Sequence, residues 1–330
     1  MMNKLKPNSE LESKPGKVAR DARSRREVWA GLLVLGLLLN GCAPAPRHEG
    51  LPRVVASFFP VYDFAREVAG PDFEVVCLVP PGGDPHSADV TPEMARQVAR
   101  ADLVLLLGLD MDGWVSKLAA TERPARQVVV TRGLPTRPPD PTELHEFAAD
   151  DHHHDDVDPH VWLDPELAQR MVETIAEALI ELRPDRSEAL RERRDAYLAK
   201  LAELDGAFRI QLAEAPRRPL VTFHGAFGYL FARYGLEVAA VVELFPGDQP
   251  SAAYLRALVD LMRQRNIDVI FAEPQLPDRA AQVIAREIGG RVERLDPCET
   301  LLADEPTATY LDRQRRNLAT LLRVLGAEGP

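Results

Sequence analysis

From residue 53 onward, short apolar runs rich in β-branched residues alternate with stretches of helical spacing. That alternation leaves few options other than parallel strands joined by crossover helices, an α/β fold. Candidate strands are Arg53 to Ser57, Phe73 to Val79, Asp102 to Leu107 and Gln127 to Thr131, then Leu220 to Phe223, Glu237 to Val242, Asp268 to Ala272 and Val292 to Leu295. Four and four make two similar halves, and 330 residues are more than one compact domain usually holds. Between the halves, Pro165 to Leu182 has helical spacing, and Arg186 to Ala213 is almost free of helix breakers. As a single helix the second stretch would reach about 40 Å at 1.5 Å per residue, enough to run along both halves. A helical hairpin broken near Asp205-Gly206 is the alternative.

The first 41 residues read differently. Val28 to Leu39 is an apolar run preceded by Arg23, Arg25 and Arg26, too short to span a bilayer comfortably and of the length of a signal-peptide core. It leads into Leu38-Leu39-Asn40-Gly41-Cys42, which resembles the bacterial lipobox, in which the Cys is acylated and becomes the mature N-terminus. The organisation expected is therefore a signal peptide with lipobox over 1–41, a Pro-rich tether over 42–50 and a body held outside the cytoplasmic membrane through a lipid on Cys42. Cys77 and Cys298 remain, and Cys77 lies in an apolar strand-like run, so no disulfide is expected. The net charge is −11, and setting aside the first 41 residues, with eight basic and four acidic side chains, leaves −15. A body that acidic repels phosphate backbones, so nucleic acid is not an expected partner.

Three of the eight His stand in loops that follow candidate strands: His86 in GGDPHSADV, His160 in VDPHVWLDP and His224 in TFHGAFGYL. Asp296 adds a carboxylate at the end of the eighth strand, in RLDP. In open parallel sheets ligands bind at the carboxyl ends of strands, so these four side chains can converge on one cleft. Three imidazoles and one carboxylate suit a tetrahedral Zn²⁺ site. Asp84 and Asp158 each lie two residues before a candidate His, and Glu273 in FAEPQ sits at another strand end; each is placed to accept the second ring N–H of a ligating His. For Asp84 and Asp158 the alternative is an Asx-turn before Pro. The long loop from Arg132 to Asp164 also carries His145, His152, His153 and His154 among carboxylates, a tract able to bind a transition metal weakly outside the main site.

Together, GGDPH, TPEMARQVARADLVLLLG, DPHVWLDP, TFHGAFGYL, QPSAAYLRALVDLMRQRNIDVIFAEPQ and RLDP resemble the metal-binding lipoproteins of zinc and manganese ABC importers, over nearly all of residues 51–325. The resemblance implies two Rossmann-like lobes with four-stranded parallel sheets, 51–183 and 215–330, joined by one long rigid helix, 184–214. It implies a metal held in the interlobe cleft by His86, His160, His224 and Asp296. It also implies delivery to a membrane permease and its ATPase by a monomeric carrier. A His at the third ligand position resembles the zinc-type members, where manganese-type members tend to carry Glu, so zinc is expected and manganese or iron is the alternative. The aromatic-acidic pair usual after the first ligand is replaced by Ser87-Ala88-Asp89. The His-rich tract resembles the corresponding loop of zinc-type members. Two other classes use similar residues: an adhesin built on the same lobes, and a zinc hydrolase with three His and Glu273 as general base. Against the hydrolase, a fourth protein ligand closes the coordination sphere to water, and no HExxH pair is present.

Overall fold

Each half of the chain builds one four-stranded, all-parallel sheet. The structure is a computed structural model, described over residues 50–118, 125–139, 144, 157–243, 250–276 and 278–326. The first sheet holds β1 (Arg53–Ala56), β2 (Glu74–Cys77), β3 (Leu103–Leu106) and β4 (Arg126–Val129) in the order β2-β1-β3-β4. The second holds β5 (Pro219–Thr222), β6 (Glu237–Val241), β7 (Val269–Ala272) and β8 (Arg291–Arg294) in the matching order β6-β5-β7-β8. All eight strands lie where the apolar runs put them. The central strands are buried on both faces, as in Leu103-Val104-Leu105-Leu106 and Val269-Ile270-Phe271-Ala272, which is why they read as continuous apolar runs rather than alternating ones.

In the first half the sheet is flanked by α1 (Phe59–Ala69), α2 (Pro92–Ala99) and α3 (Gly113–Leu118), and α4 (Pro165–Leu182) leads out of it. Then α5 (Ser187–Ala213) runs unbroken for 27 residues, about 40 Å at 1.5 Å per residue. The hairpin alternative does not occur. Gly206 lies inside the helix, and the preceding Asp205 accepts hydrogen bonds from Arg209 one turn on and from Arg233 and Tyr234 outside it, so the turn where a break was conceivable is tied in place. The second half adds α6 (Gly228–Tyr234), α7 (Ala252–Arg265), α8 (Arg279–Ile288) and α9 (Tyr310–Leu325). The cap of α9 is a reciprocal box between Thr309 and Asp312.

One apolar core runs through both halves and the long helix. It joins Phe64 and Val68 of α1, Ile175 and Leu179 of α4, Leu201 and Phe208 of α5, Phe227 and Phe231, and Leu318 and Leu321 of α9. Aromatic contacts stitch it: Phe58 meets Trp162 edge-on at 5.2 Å, and Phe64 meets Tyr310 of α9 at 4.8 Å. Tyr310 also donates its backbone N–H to Asp63 and its hydroxyl to the Trp162 carbonyl, so the last helix grips the first half. Cys77 and Cys298 are both free thiols. No described helix is long and apolar enough to cross a membrane.

The backbone approaches closely just before β8. Gly290 precedes β8, and a Cβ there would lie 2.3 Å from the Asp268 carbonyl oxygen that accepts the Arg291 N–H. Gly290→Ala is expected to destabilise by about 1–3 kcal/mol, the usual range for overpacking. A thermal melt should fall by a few degrees. Because the clash is at the strand ends opposite the site described next, the number of metal ions bound should not change.

Candidate metal centre

The site is assembled from loops at the carboxyl ends of strands, where an open parallel sheet presents its crevice. His86 comes from the loop after β2 and His160 from the end of the connection after β4, so the first half supplies two imidazoles. His224 stands two residues past β5 and Glu299 lies in the loop after β8. His160, His224 and Glu299 are buried, and His86 keeps 21% of its side chain exposed, which makes its side the open face of the group.

Local sequence dictates these turns. Four Asp-Pro dipeptides each form the same Asx-turn, with the Asp Oδ1 accepting the backbone N–H two residues on: Asp84 to His86 at 2.8 Å, Asp158 to His160 at 3.0 Å, Asp164 to Glu166 at 2.8 Å and Asp296 to Cys298 at 2.8 Å. Two of the turns deliver a His directly. The third caps α4, and the fourth throws Cys298 into the left-handed region at φ 57° and carries the next residue, Glu299, toward the imidazoles.

Glu299 is the difference from the sequence expectation. The four ligand atoms that lie within 4.8 Å of one another belong to His86, His160, His224 and Glu299. Asp296 is turned away: Oδ1 is spent on the Cys298 N–H, Oδ2 lies 3.5 Å from the Arg313 guanidinium, and Asn317 pairs with the backbone N–H and carbonyl. Burial pushes its carboxyl up to about 6, with Arg313 opposing the shift. A signal for this was present in the chain. In the Asp84 and Asp158 turns the Asp builds the turn and the donor follows it, so the residues after Asp296 were the place to look.

The inward atoms form a compact set. Glu299 Oε1 lies 3.4 Å from His86 Nε2, 3.1 Å from His160 Nε2 and 3.4 Å from His224 Nε2, and the last two nitrogens are 3.4 Å apart. Four donors placed tetrahedrally at the 2.0–2.1 Å of zinc–nitrogen bonds would be about 3.3 Å apart, close to these four separations, and the whole set lies within 4.8 Å.

The outer nitrogens fix which atom faces in. Asp158 Oδ1 takes the His160 Nδ1–H at 2.7 Å, and Glu273 Oε1 takes the His224 Nδ1–H. A carboxylate accepts, so each Nδ1 carries the proton and each Nε2 turns its lone pair to the centre. Asp84 differs from the expectation that it would back the His86 ring: its oxygens go to the His86 backbone N–H and the Ser87 hydroxyl, the Asx-turn alternative. Gln275, which the sequence analysis did not single out, donates to Glu273 Oε2 at 2.8 Å and lies 3.4 Å from Glu299 Oε2, linking the two carboxylates on their outer sides. Cys42, His145, His152, His153 and His154 lie outside the described residues.

Electrostatics favour a positive charge here. Burial lowers the His160 pKa, but the hydrogen bonds and charges of Asp158 and Glu299 outweigh it and leave it raised. His224 goes further up for the same reason, through Glu273 and Glu299. Glu299, despite full burial, is held well below the ordinary carboxylate range by His224 and the other two imidazoles. A proton or a metal ion can supply the charge that four facing electron-rich atoms lack.

The model of a family described as zinc-uptake complex component A, periplasmic, matches residues 54–324. The chain is 31% identical over 300 residues to the zinc-binding lipoprotein AdcA of Streptococcus pneumoniae R6, covering 89% of this chain and 60% of that protein. It thus spans well under two thirds of that relative's length. It is 30% identical over 315 residues to the high-affinity zinc uptake system protein ZnuA of Bacillus subtilis, covering 89% of this chain and 96% of that one. The crystal structure of the Zn(II)-bound ZnuA-like domain of S. pneumoniae AdcA superposes with a TM-score of 0.71 at 28% identity, covering 84% of this chain and 99% of the other.

The geometry separates the two acidic candidates experimentally. Glu299→Ala is expected to lower zinc affinity by more than about 100-fold, beyond the 10–100-fold typical of changing a partner behind a ligand. Asp158→Asn should fall within that range. Asp296→Asn, which keeps the turn oxygen, should cost less than either. Competition with a chromophoric chelator measures all three.

Proposed function

The chain belongs to the zinc-uptake complex component A family, and from that membership we propose that it is an extracytoplasmic Zn²⁺-binding protein that hands the ion to an ABC importer. The observation that carries the reading is the set of three inward Nε2 atoms and one Glu299 oxygen gathered within 4.8 Å. Zinc is the cargo. Four protein atoms already in position displace its water ligands, and the outer carboxylates Asp158 and Glu273 keep the imidazoles oriented as it binds.

The centre is built to carry rather than to catalyse. Four protein donors close a tetrahedral sphere, leaving no position for an activated water. Glu273, the candidate base of a hydrolase, is committed to the His224 ring and to Gln275. His224 at the third position favours zinc over manganese, since imidazole suits zinc and a carboxylate suits manganese. Anchoring through lipidated Cys42, a permease with its ATPase as partners, and a monomeric carrier complete the proposal.

Titration of the body, residues 43–330, should find one tight zinc equivalent that excess manganese does not displace. His224→Glu should narrow that margin. Comparable manganese affinity in the unsubstituted protein would move the chain to manganese transport, and absence of a tight site would remove it from metal transport. Deleting His152 to His154 should leave the tight equivalent intact.

The pH dependence follows from the raised imidazole pKa values. A raised pKa means that the metal-free site keeps its protons to higher pH than an ordinary His, whose value is 6.5. Zinc must displace those protons, so its apparent affinity should fall as pH falls, with the loss beginning above that ordinary value. Calorimetry in buffers of different ionisation enthalpy should show protons released on binding. An affinity that stays flat through that range would contradict the site.

A further inference from the structure

Arg313 is an unusual residue to find where it lies. Its side chain is fully buried in α9, yet Nε and Nη2 have no hydrogen-bond partner in the protein among the described residues. Buried polar atoms are nearly always paired, and an unpaired guanidinium edge calls for an account of what retains it. Its remaining contacts converge on one segment. Nη1 donates to the Thr300 carbonyl at 2.7 Å and lies 3.5 Å from Asp296 Oδ2, and the guanidinium sits 4.1 Å over the ring of Phe59, the first residue of α1. The cation is thus seated on the first half of the molecule while it grips a loop of the second.

That loop is the one that carries Glu299. The Thr300 carbonyl held by Arg313 belongs to the residue next to the ligand. The Thr300 hydroxyl reaches the Pro80 carbonyl at 3.3 Å, and the Leu301 carbonyl accepts the Gly82 N–H at 2.8 Å, so the same segment is strapped to the loop that bears His86. From the other side, Trp162 donates its indole N–H to the Pro297 carbonyl at 2.7 Å, two residues along from His160. These three links to the first half all pass through residues 297–301. Arg313 is the only charged side chain among the described residues that donates a hydrogen bond to a backbone carbonyl within them.

We propose that Arg313 is a positioning residue for the metal centre: by holding the Thr300 carbonyl against the Phe59-seated guanidinium, it keeps Glu299 and the His86 loop at ligating distance from the other two imidazoles. The inference rests on the reading of Glu299 as the fourth ligand. Without the arginine the loop keeps its Asx-turn and the Asn317 bonds at Asp296 but loses its tie to α9 at Thr300, and Glu299 gains freedom to leave the ion. The effect falls on metal retention more than on folding.

The test is a double-substitution cycle on the soluble body, with zinc affinity and dissociation rate read by chelator competition. Arg313→Met keeps the length and the apolar contact with Phe59 but removes the donor; it should lose about 10- to 100-fold in affinity, the range for changing a group that orients a ligand. Arg313→Lys keeps a donor and should retain more affinity than Met, and it also serves if Met fails to fold. In a Glu299→Ala background the same Arg313 substitutions should add little, because the group they position is gone. In the Co²⁺ form, Arg313→Met should weaken the visible bands of a four-coordinate tetrahedral ion, a change that general destabilisation does not produce. Wild-type zinc affinity in both Arg313 variants, or an equal loss with and without Glu299, would overturn the positioning role. Full zinc affinity in Glu299→Ala alone would overturn the fourth-ligand reading and this inference with it.

Discussion

Three imidazole lone pairs and a carboxylate oxygen pointing at one another within 4.8 Å are mutually repulsive unless a cation sits among them. A proton or a metal ion supplies that charge, and the raised pKa values of His160 and His224 reflect it. Keeping the four atoms together also requires rigid turns, carboxylates on the outer nitrogens to stop the rings from rotating away, and a stiff core. The Asp-Pro-x turns meet the first requirement, and Asp158 and Glu273 meet the second. The third is met by the largest of the apolar clusters, which runs from α1 through α5 to α9. Preorganisation of this kind lets metal binding proceed with little ordering left to do.

The same core limits how the two halves can move. In a binding protein whose halves meet only at a flexible hinge, closure can be wide. Here α5 runs unbroken beside both halves, Arg233 ties Asp164 at the head of α4 to Asp205 of α5, and Tyr310 and Trp162 bind the end of the chain to the first half. Asp164 lies four residues after His160, and Arg233 lies nine after His224, so the chain segments that bear two of the donors run into this ion-paired hub. Release of the ion therefore has to work on local loops more than on a large opening. The loop from Pro297 to Leu301 and the partly exposed His86 are the parts with the least regular structure around them.

Most of this was legible in the chain. The eight strands announce themselves because parallel strands buried on both faces become uninterrupted β-branched runs, and the long helix because breakers are nearly absent from Arg186 to Ala213. The three His were legible because each follows a strand, where an open sheet binds ligands. The fourth member of the cluster was not. Asp296 has the right chemistry at the right strand end, and only the turn geometry shows that its oxygens are consumed locally, leaving Glu299 to face the cleft. Gln275 and Arg313 were missed for a related reason: their roles depend on which carboxylate and which carbonyl come within reach, and chain spacing does not encode that.

Charge accounts for why the centre suits a divalent ion. Glu299 faces the middle, Glu273 and Asp158 stand behind two rings, and Arg137 lies 4.0 Å from the Asp158 oxygen that does not touch His160. Three carboxylates against one guanidinium leave two negative charges in a largely buried place, and Asp296 adds nothing because Arg313 offsets it. A single divalent cation cancels that excess, whereas a monovalent one leaves half of it uncompensated in low dielectric. Two protons on the imidazoles cancel it as well, which is why protons are the natural competitor. Replacing His224 by Glu adds a fourth carboxylate and raises the charge to be cancelled. That shift favours ions that bind carboxylate readily and keep more ligands around them, so the third position can set the metal through charge as well as through donor type.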